Sequence, residues 1–165
     1  PNDVGTVYIK MGDIEFEYHG DQGKTEKAWN EGFFTVGDAG YLDEDGYLFL
    51  CDRKSDMIIS GGVNIYPAEI ESVLFQFPRI SDVAVFGVPH DDWGEEVKAV
   101  IELGEGATAS DTLSDQIIAF CQENLAKYKC PKSVDFIEVM PRDPNGKLMK
   151  RKLRDPFWAG QERQI

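Results

Sequence analysis

The strongest constraint on the fold is a change of hydrophobic pattern near residue 53. Before it, apolar residues come in short runs rich in β-branched and aromatic side chains: "GTVYIKM", "IEFEYHG" and "GFFTVGDAGYLDEDGYLFLCDR". Such runs form strands, because branched and ring side chains fit a pleated, half-buried surface. The last run predicts two strands around a turn at Asp43–Gly46, since Asp-Gly is a strong hairpin signal. The polar stretch "DQGKTEKAW" predicts a short helix.

After residue 53, strand and helix patterns interleave. "MIIS" is a short strand before Gly61-Gly62. Pro67 then opens the helix "PAEIESVLFQF", with Ile70, Val73, Leu74 and Phe77 on one face. Proline suits the first helical position, and Glu69 and Glu71 complement the positive end of the helix. "SDVAVFGVPH" and "EEVKAVIEL" are two further β-rich runs. "DTLSDQIIAFCQENLAKY" is the clearest helix: Leu113, Ile117, Phe120, Cys121 and Leu125 recur at helical spacing, and Thr112 with Asp115 predicts a capping box. "SVDFIEV" is a last strand, a short helix is expected around Lys150–Arg154, and the tail "DPFWAGQERQI" shows no period. The pattern predicts an α+β C-terminal domain joined to the end of a β-rich unit, with the junction in Cys51–Asp56.

Composition narrows the partners. A net charge of −13 argues against nucleic acid, whose phosphates call for a broad basic face. No apolar run approaches the roughly 18–20 residues of a membrane span. The chain opens on "PNDVGTVYIK", without Met, and is read as a segment of something longer. Cys51, Cys121 and Cys130 are odd in number and match no metal spacing, so reduced and mostly buried thiols in a cytosolic protein are expected. His19 and His90 are far apart, and no metal site is expected.

Three stretches could carry chemistry. Asp38 follows a Gly, and a carboxylate on a turn can accept two hydroxyl hydrogen bonds from a ribose; alone it is an ordinary turn Asp. "DRKSDMIISGGVNIYPAEIE" joins a planar donor, Arg53, to a Gly pair that lets backbone approach a ligand; alone these are a surface salt bridge and a turn. "MPRDPNGKLMKRKLR" gathers six of the chain's 17 Lys and Arg residues and sets Lys147 at the exit of an Asn-Gly turn; alone it is a solubilising basic tail.

The order of these pieces is more specific than any one of them. Asp after Gly, a hairpin, Arg-x-x-Asp, then Ser-Gly-Gly-x-Asn-x-x-Pro-x-Glu-Ile-Glu, and a distant Pro-x-x-x-x-Gly-Lys resemble the adenylate-forming superfamily over nearly the whole chain. The run Asp52–Glu71 is the most specific part, and the likeness is greatest to fatty and aryl acyl-CoA synthetases.

The resemblance implies an enzyme that joins a carboxylic acid, of the fatty type here, to ATP as acyl-AMP and then passes the acyl group to coenzyme A. It implies that residues 1–52 end a large N-terminal AMP-binding domain. Residues 53–165 would form a small mobile C-terminal domain with a mixed sheet and flanking helices. By the same resemblance, Asp38 and Arg53 hold the AMP ribose, and Ser60, Gly61, Gly62 and Asn64 line the tunnel for the pantetheine thiol. Lys147, on a mobile loop, is the catalytic lysine of adenylation. The hinge falls at Ser55 or a neighbour such as Asp52, where relatives carry Asp or Lys two residues after the Arg. Asp52 also replaces the family's Gly, and Val36 its Thr. Lys150, Arg151, Lys152 and Arg154 would dock the final helix or steer ATP and coenzyme A.

The phosphate loop, the Mg2+-positioning Thr-Glu stretch and the acid pocket do not occur in this sequence. The Mg2+ site is therefore expected outside the fragment, and the fragment alone is expected to be inactive. The expected partners are the acid, ATP, coenzyme A and the rest of the parent enzyme, in the cytoplasm, with or without peripheral contact with a membrane. Two alternatives remain: an adenylation domain that loads a carrier protein, and a noncatalytic module of the same fold.

Overall fold

The structure is a computed structural model that describes residues 1–12 and 16–161. The chain forms two compact units, Pro1–Ser55 and Asp56–Ile165.

The first unit contains β1 (Gly5–Thr6), α1 (Gln22–Ala28), β2 (Trp29–Asn30), β3 (Phe33–Phe34), β4 (Asp38–Leu42) and β5 (Leu48–Arg53). β4 and β5 form the expected hairpin, and β1 adds antiparallel to β4. Its turn follows from two residues. The Asp43 carboxylate accepts from the backbone N–H of Asp45 and Tyr47 at 3.0 and 2.8 Å, and Gly46 takes φ +84°. Asp21 caps α1 by accepting from Lys24 N–H at 2.9 Å.

Two expected strands are shorter or missing. Of "GTVYIKM" only Gly5–Thr6 is a strand, with Ile9 bridged to Phe34. Of "IEFEYHG", Ile14 and Glu15 lie outside the described residues, and Phe16–Gly20 is not a strand. Side chains have claimed its backbone: the Phe16 carbonyl accepts from Trp29 Nε1, and Tyr18 N–H donates to Thr25 Oγ1, both at 2.9 Å. Phe16 packs against Tyr18 and Phe34 instead of extending a sheet.

The second unit holds β6 (Ile58–Ser60), β7 (Val63–Ile65), α2 (Pro67–Leu74), β8 (Ile80–His90), β9 (Gly94–Leu103), α3 (Asp111–Asn124), β10 (Ser133–Ile137) and α4 (Lys150–Arg154). The sheet is mixed: β10 runs parallel to β9, whereas β6 and β8 run antiparallel to it. β8 and β9 form its long central hairpin and are buried on both faces, which is why they read as nearly continuous apolar runs. On one face Val83, Val85, Val97, Ala99 and Ile101 pack with Ile70 and Leu74 of α2 and with Leu113, Ile117 and Cys121 of α3. On the other, Ala84, Phe86, Val88 and Val100 pack with Met140, and Leu148 and Leu153 join them. The basic C-terminal segment is thus a cover for the second face of the sheet.

The cap of α3 differs from expectation. Ser110, not Thr112, is the N-cap and accepts from Leu113 N–H at 3.2 Å. The tail, which shows no period, holds a 3-10 turn at Asp155–Trp158, where Trp158 Nε1 donates to the Gly87 carbonyl at 3.0 Å.

Candidate functional site

In the first unit the β4–β5 register sets Asp38 opposite Arg53. Arg53 Nε lies 3.8 Å from Asp38 Oδ1, and the Arg53 side chain is 55% exposed, so much of its donor fork faces outward. A carboxylate beside such a fork presents acceptors and donors together, the set a vicinal diol can engage. The resemblance sends both residues to one ribose; the strand register sets them side by side. What sequence reasoning missed is the surface next to them: Arg53 lines an open groove of about 550 Å³ with Lys54, Lys24, Lys27 and Tyr18. Lys24 Nζ sits 3.9 Å from the centre of the Tyr18 ring. The polar stretch carrying both lysines was read only as a helix.

Asp52 and Ser55 flank this edge. Asp52 Oδ1 accepts from Arg53 N–H at 2.7 Å. Lys54 N–H donates to the Gly37 carbonyl at 2.7 Å, which keeps residues 53–55 with the first unit; the two units part after Ser55.

In the second unit, Ser60 pairs with Val63, so Gly61 and Gly62 alone make the β6–β7 turn. Their φ values are +56° and +80°, the double left-handed turn that fits the twist of a hairpin. Glycine is required by backbone geometry before any ligand is considered. Asn64 lies exposed on β7. Trp93, in the β8–β9 turn, covers Gly61: its carbonyl accepts from Gly61 N–H at 2.9 Å, and a Cβ on Gly61 would lie 2.6 Å from its Cε3. Trp93 is 58% exposed. The available signal in the sequence is the lone Trp of "DDWGE", an apolar ring among acidic residues.

Lys147 closes the turn Asp143–Lys147. Gly146 takes φ +84°, Asp143 N–H donates to the Lys147 carbonyl at 2.9 Å, and the Asp143 carboxylate accepts from Asn145 and Lys147 N–H, both at 2.9 Å. Pairing of the neighbouring cations sets Lys147 and Lys152 apart. Arg142 pairs with Asp82, Lys150 with Glu71 at 2.7 Å, Arg151 with Asp155 at 2.9 Å and Arg154 with Asp56 at 3.7 Å. Among the described residues the side chains of Lys147 and Lys152 have no hydrogen-bond or ion-pair partner.

Comparison with known proteins decides the family. Residues 69–147 match the AMP-binding enzyme C-terminal domain. The chain belongs to the adenylate-forming superfamily. A long-chain-fatty-acid–CoA ligase of Mycobacterium tuberculosis is 44% identical over 155 residues, covering 94% of this chain and 30% of the relative. A fatty acid–[acyl-carrier-protein] ligase of Streptomyces coeruleorubidus is 39% identical over 165 residues, covering 100% of this chain and 31% of the relative. Among solved structures, an o-succinylbenzoate CoA synthetase of Bacillus subtilis, in complex with its acyl-adenylate intermediate, superposes with a TM-score of 0.82 at 33% identity. That match covers 100% of this chain and 32% of the other. The chain therefore spans about 30% of the length of the curated adenylate-forming relatives it matches.

Proposed function

We propose that this chain is the C-terminal part of an acyl-CoA synthetase that activates a carboxylic acid, of the fatty type, as acyl-AMP and transfers the acyl group to coenzyme A. The observation that carries the reading is the unpaired ammonium of Lys147, on a closed turn, in a segment where four other cations are paired with carboxylates. A charge left free on a fixed turn is available to a ligand. Its role is to hold the substrate carboxylate and the α-phosphate of ATP together, offsetting their repulsion as they meet. That is catalysis by position and electrostatics, with no proton transferred by the lysine.

The first unit, Pro1–Ser55, ends the large domain and the second, Asp56–Ile165, forms the mobile small one. Exposed apolar side chains on the β4–β5 hairpin, Leu42, Tyr47 and Leu50, support this, since a larger domain would cover them. Asp38 and Arg53 bind the ribose, with the hinge at Ser55 or Asp52. Ser60, Gly61, Gly62 and Asn64 border the path of the thiol, and Mg2+ enters with ATP at residues outside this chain. Cysteine content without a disulfide framework, Cys51, Cys121 and Cys130, agrees with a cytoplasmic location. Among the described residues no helix is long and apolar enough to cross a membrane.

A carrier-protein thiol as the acceptor is the second reading, favoured by the Streptomyces relative. A noncatalytic module is disfavoured by the joint presence of Asp38, Arg53 and Lys147.

Lys147→Ala in the full-length enzyme should abolish acyl-AMP formation, read by pyrophosphate exchange, while thioester formation from supplied acyl-AMP continues. Equal loss of both half-reactions in rapid-quench assays overturns the assignment. Supplying coenzyme A or a carrier protein as acceptor separates the two readings.

A further inference from the structure

The position of Lys147 is set by side chains far away in sequence. Arg142 Nη1 donates to the Gly146 carbonyl, the acceptor immediately before Lys147, at 2.6 Å. The other arm of the same guanidinium, Nη2, pairs with Asp82 of β8. One rigid planar fork therefore joins the Lys147 turn to the central hairpin. The Asp143 carboxylate holds Lys147 N–H from the other side at 2.9 Å. Both ends of the Gly146–Lys147 peptide group, its carbonyl and its N–H, are thus fixed.

The sheet has arranged itself for this contact. A register shift between Ile80 and Asp82 sets Asp82 opposite Glu102 on β9. Two carboxylates facing each other across a strand pair are destabilising on their own. Both are engaged by the covering segment: Glu102 Oε2 accepts from Met140 N–H at 2.6 Å, and Asp82 takes Arg142. The Asp82 side chain is only 14% exposed. Downstream, Lys150 Nζ pairs with Glu71 Oε1, which also accepts from Val85 N–H, both at 2.7 Å. The segment is anchored to the sheet before Lys147 and, through Glu71 of α2, after it.

We propose that Arg142, held by Asp82, is a positioning residue for adenylation: it aims Lys147 at the reacting carboxylate and phosphate without touching them. The inference rests on Lys147 acting in that half-reaction. Displacing a catalytic group by about 1 Å can cost about 100-fold. Arg142→Ala in the full-length enzyme should slow acyl-AMP formation by about that factor, chiefly in kcat. Thioester formation from supplied acyl-AMP should change by less than about threefold, because that step does not use Lys147. Asp82→Asn should give a smaller loss of the same pattern.

The double variant separates positioning from structure. If Arg142 acts through Lys147, adding Arg142→Ala to Lys147→Ala, which no longer adenylates, costs nothing further in thioester formation from supplied acyl-AMP. A purely structural role would lower both half-reactions together in Arg142→Ala and would lower thioester formation in the double variant, which overturns the proposal. Adenylation unchanged in Arg142→Ala, with Lys147→Ala dead, also overturns it and leaves the function of Lys147 standing. Adenylation unchanged in Lys147→Ala overturns both.

Discussion

Trp93 lies against Gly61, so closely that a single added methyl carbon at residue 61 would come within 2.6 Å of the indole. Neighbouring Gly62 has equal need of a left-handed backbone but open space around it, with nothing within 4 Å of an added Cβ. The two glycines therefore make a matched pair. Alanine at either costs about 1 kcal/mol of backbone strain; only Gly61→Ala must also move Trp93. If this turn borders the thiol's path, Gly61→Ala should lower thioester formation at least about tenfold more than Gly62→Ala, with acyl-AMP formation similar in the two. Equal thioester rates for both variants would remove Trp93 and this turn from the path.

Asp38 and Arg53 offer a test in the other half of the chain. Hydrogen bonds to charged groups contribute about 1.5–3 kcal/mol, so if Asp38 holds the ribose, Asp38→Ala should weaken ATP binding roughly 10–100-fold in the full-length enzyme. Arg53→Lys keeps the charge and loses the planar fork, and should bind ATP more weakly than the parent. The measurement is titration calorimetry with ATP. Unchanged affinity in Asp38→Ala would move the ribose elsewhere.

The cap of α3 gives a stability prediction free of any functional assumption. Ser110→Ala removes the acceptor for Leu113 N–H and should cost about 1 kcal/mol in urea unfolding of the 165-residue chain. Thr112 sits inside the helix as an exposed residue, and Thr112→Ala should stay within about 0.5 kcal/mol. A larger loss at Thr112 than at Ser110 would restore the capping box as first read.

Legibility followed distance along the chain. The turns Asp43–Tyr47 and Asp143–Lys147 are the same device: an Asp carboxylate accepting from the second and fourth following N–H groups, closed by Gly at φ +84°. That code lies within five residues, so both turns were readable. The buried faces of α2 and α3 were readable for the same reason. Arg142–Asp82, Lys150–Glu71 and Trp93 over Gly61 join segments 60, 79 and 32 residues apart, and no local pattern announces them. Phe16–Gly20 failed in the opposite sense: strand-like composition lost to side-chain bonds from Trp29 and Thr25.

The cysteines give a last prediction, which separates burial from chemistry. Cys121 is fully buried between α3 and the sheet, and burial pushes its thiol up to about 12 from an ordinary 9.0, with nearby Cys130 adding to the rise. Burial raises Cys130 as well, against the opposing pull of Lys132. Cys51 is only half-buried. Iodoacetamide on the native chain at pH 8 should therefore label Cys51 first, and Cys121 and Cys130 only after unfolding. The sign for stability follows from proton binding. Above pH 9.0 the unfolded Cys121 loses its proton while the folded one keeps it to about 12, so the unfolded state binds fewer protons and stability falls as pH rises through that window. Below pH 9.0 the contribution is complete. The informative quantity is the difference between the parent chain and Cys121→Ala. The variant should be less stable at pH 8 and should show a shallower alkaline decline in urea unfolding between pH 9 and 11. Identical slopes for the two proteins would mean that Cys121 is open to solvent in the folded state.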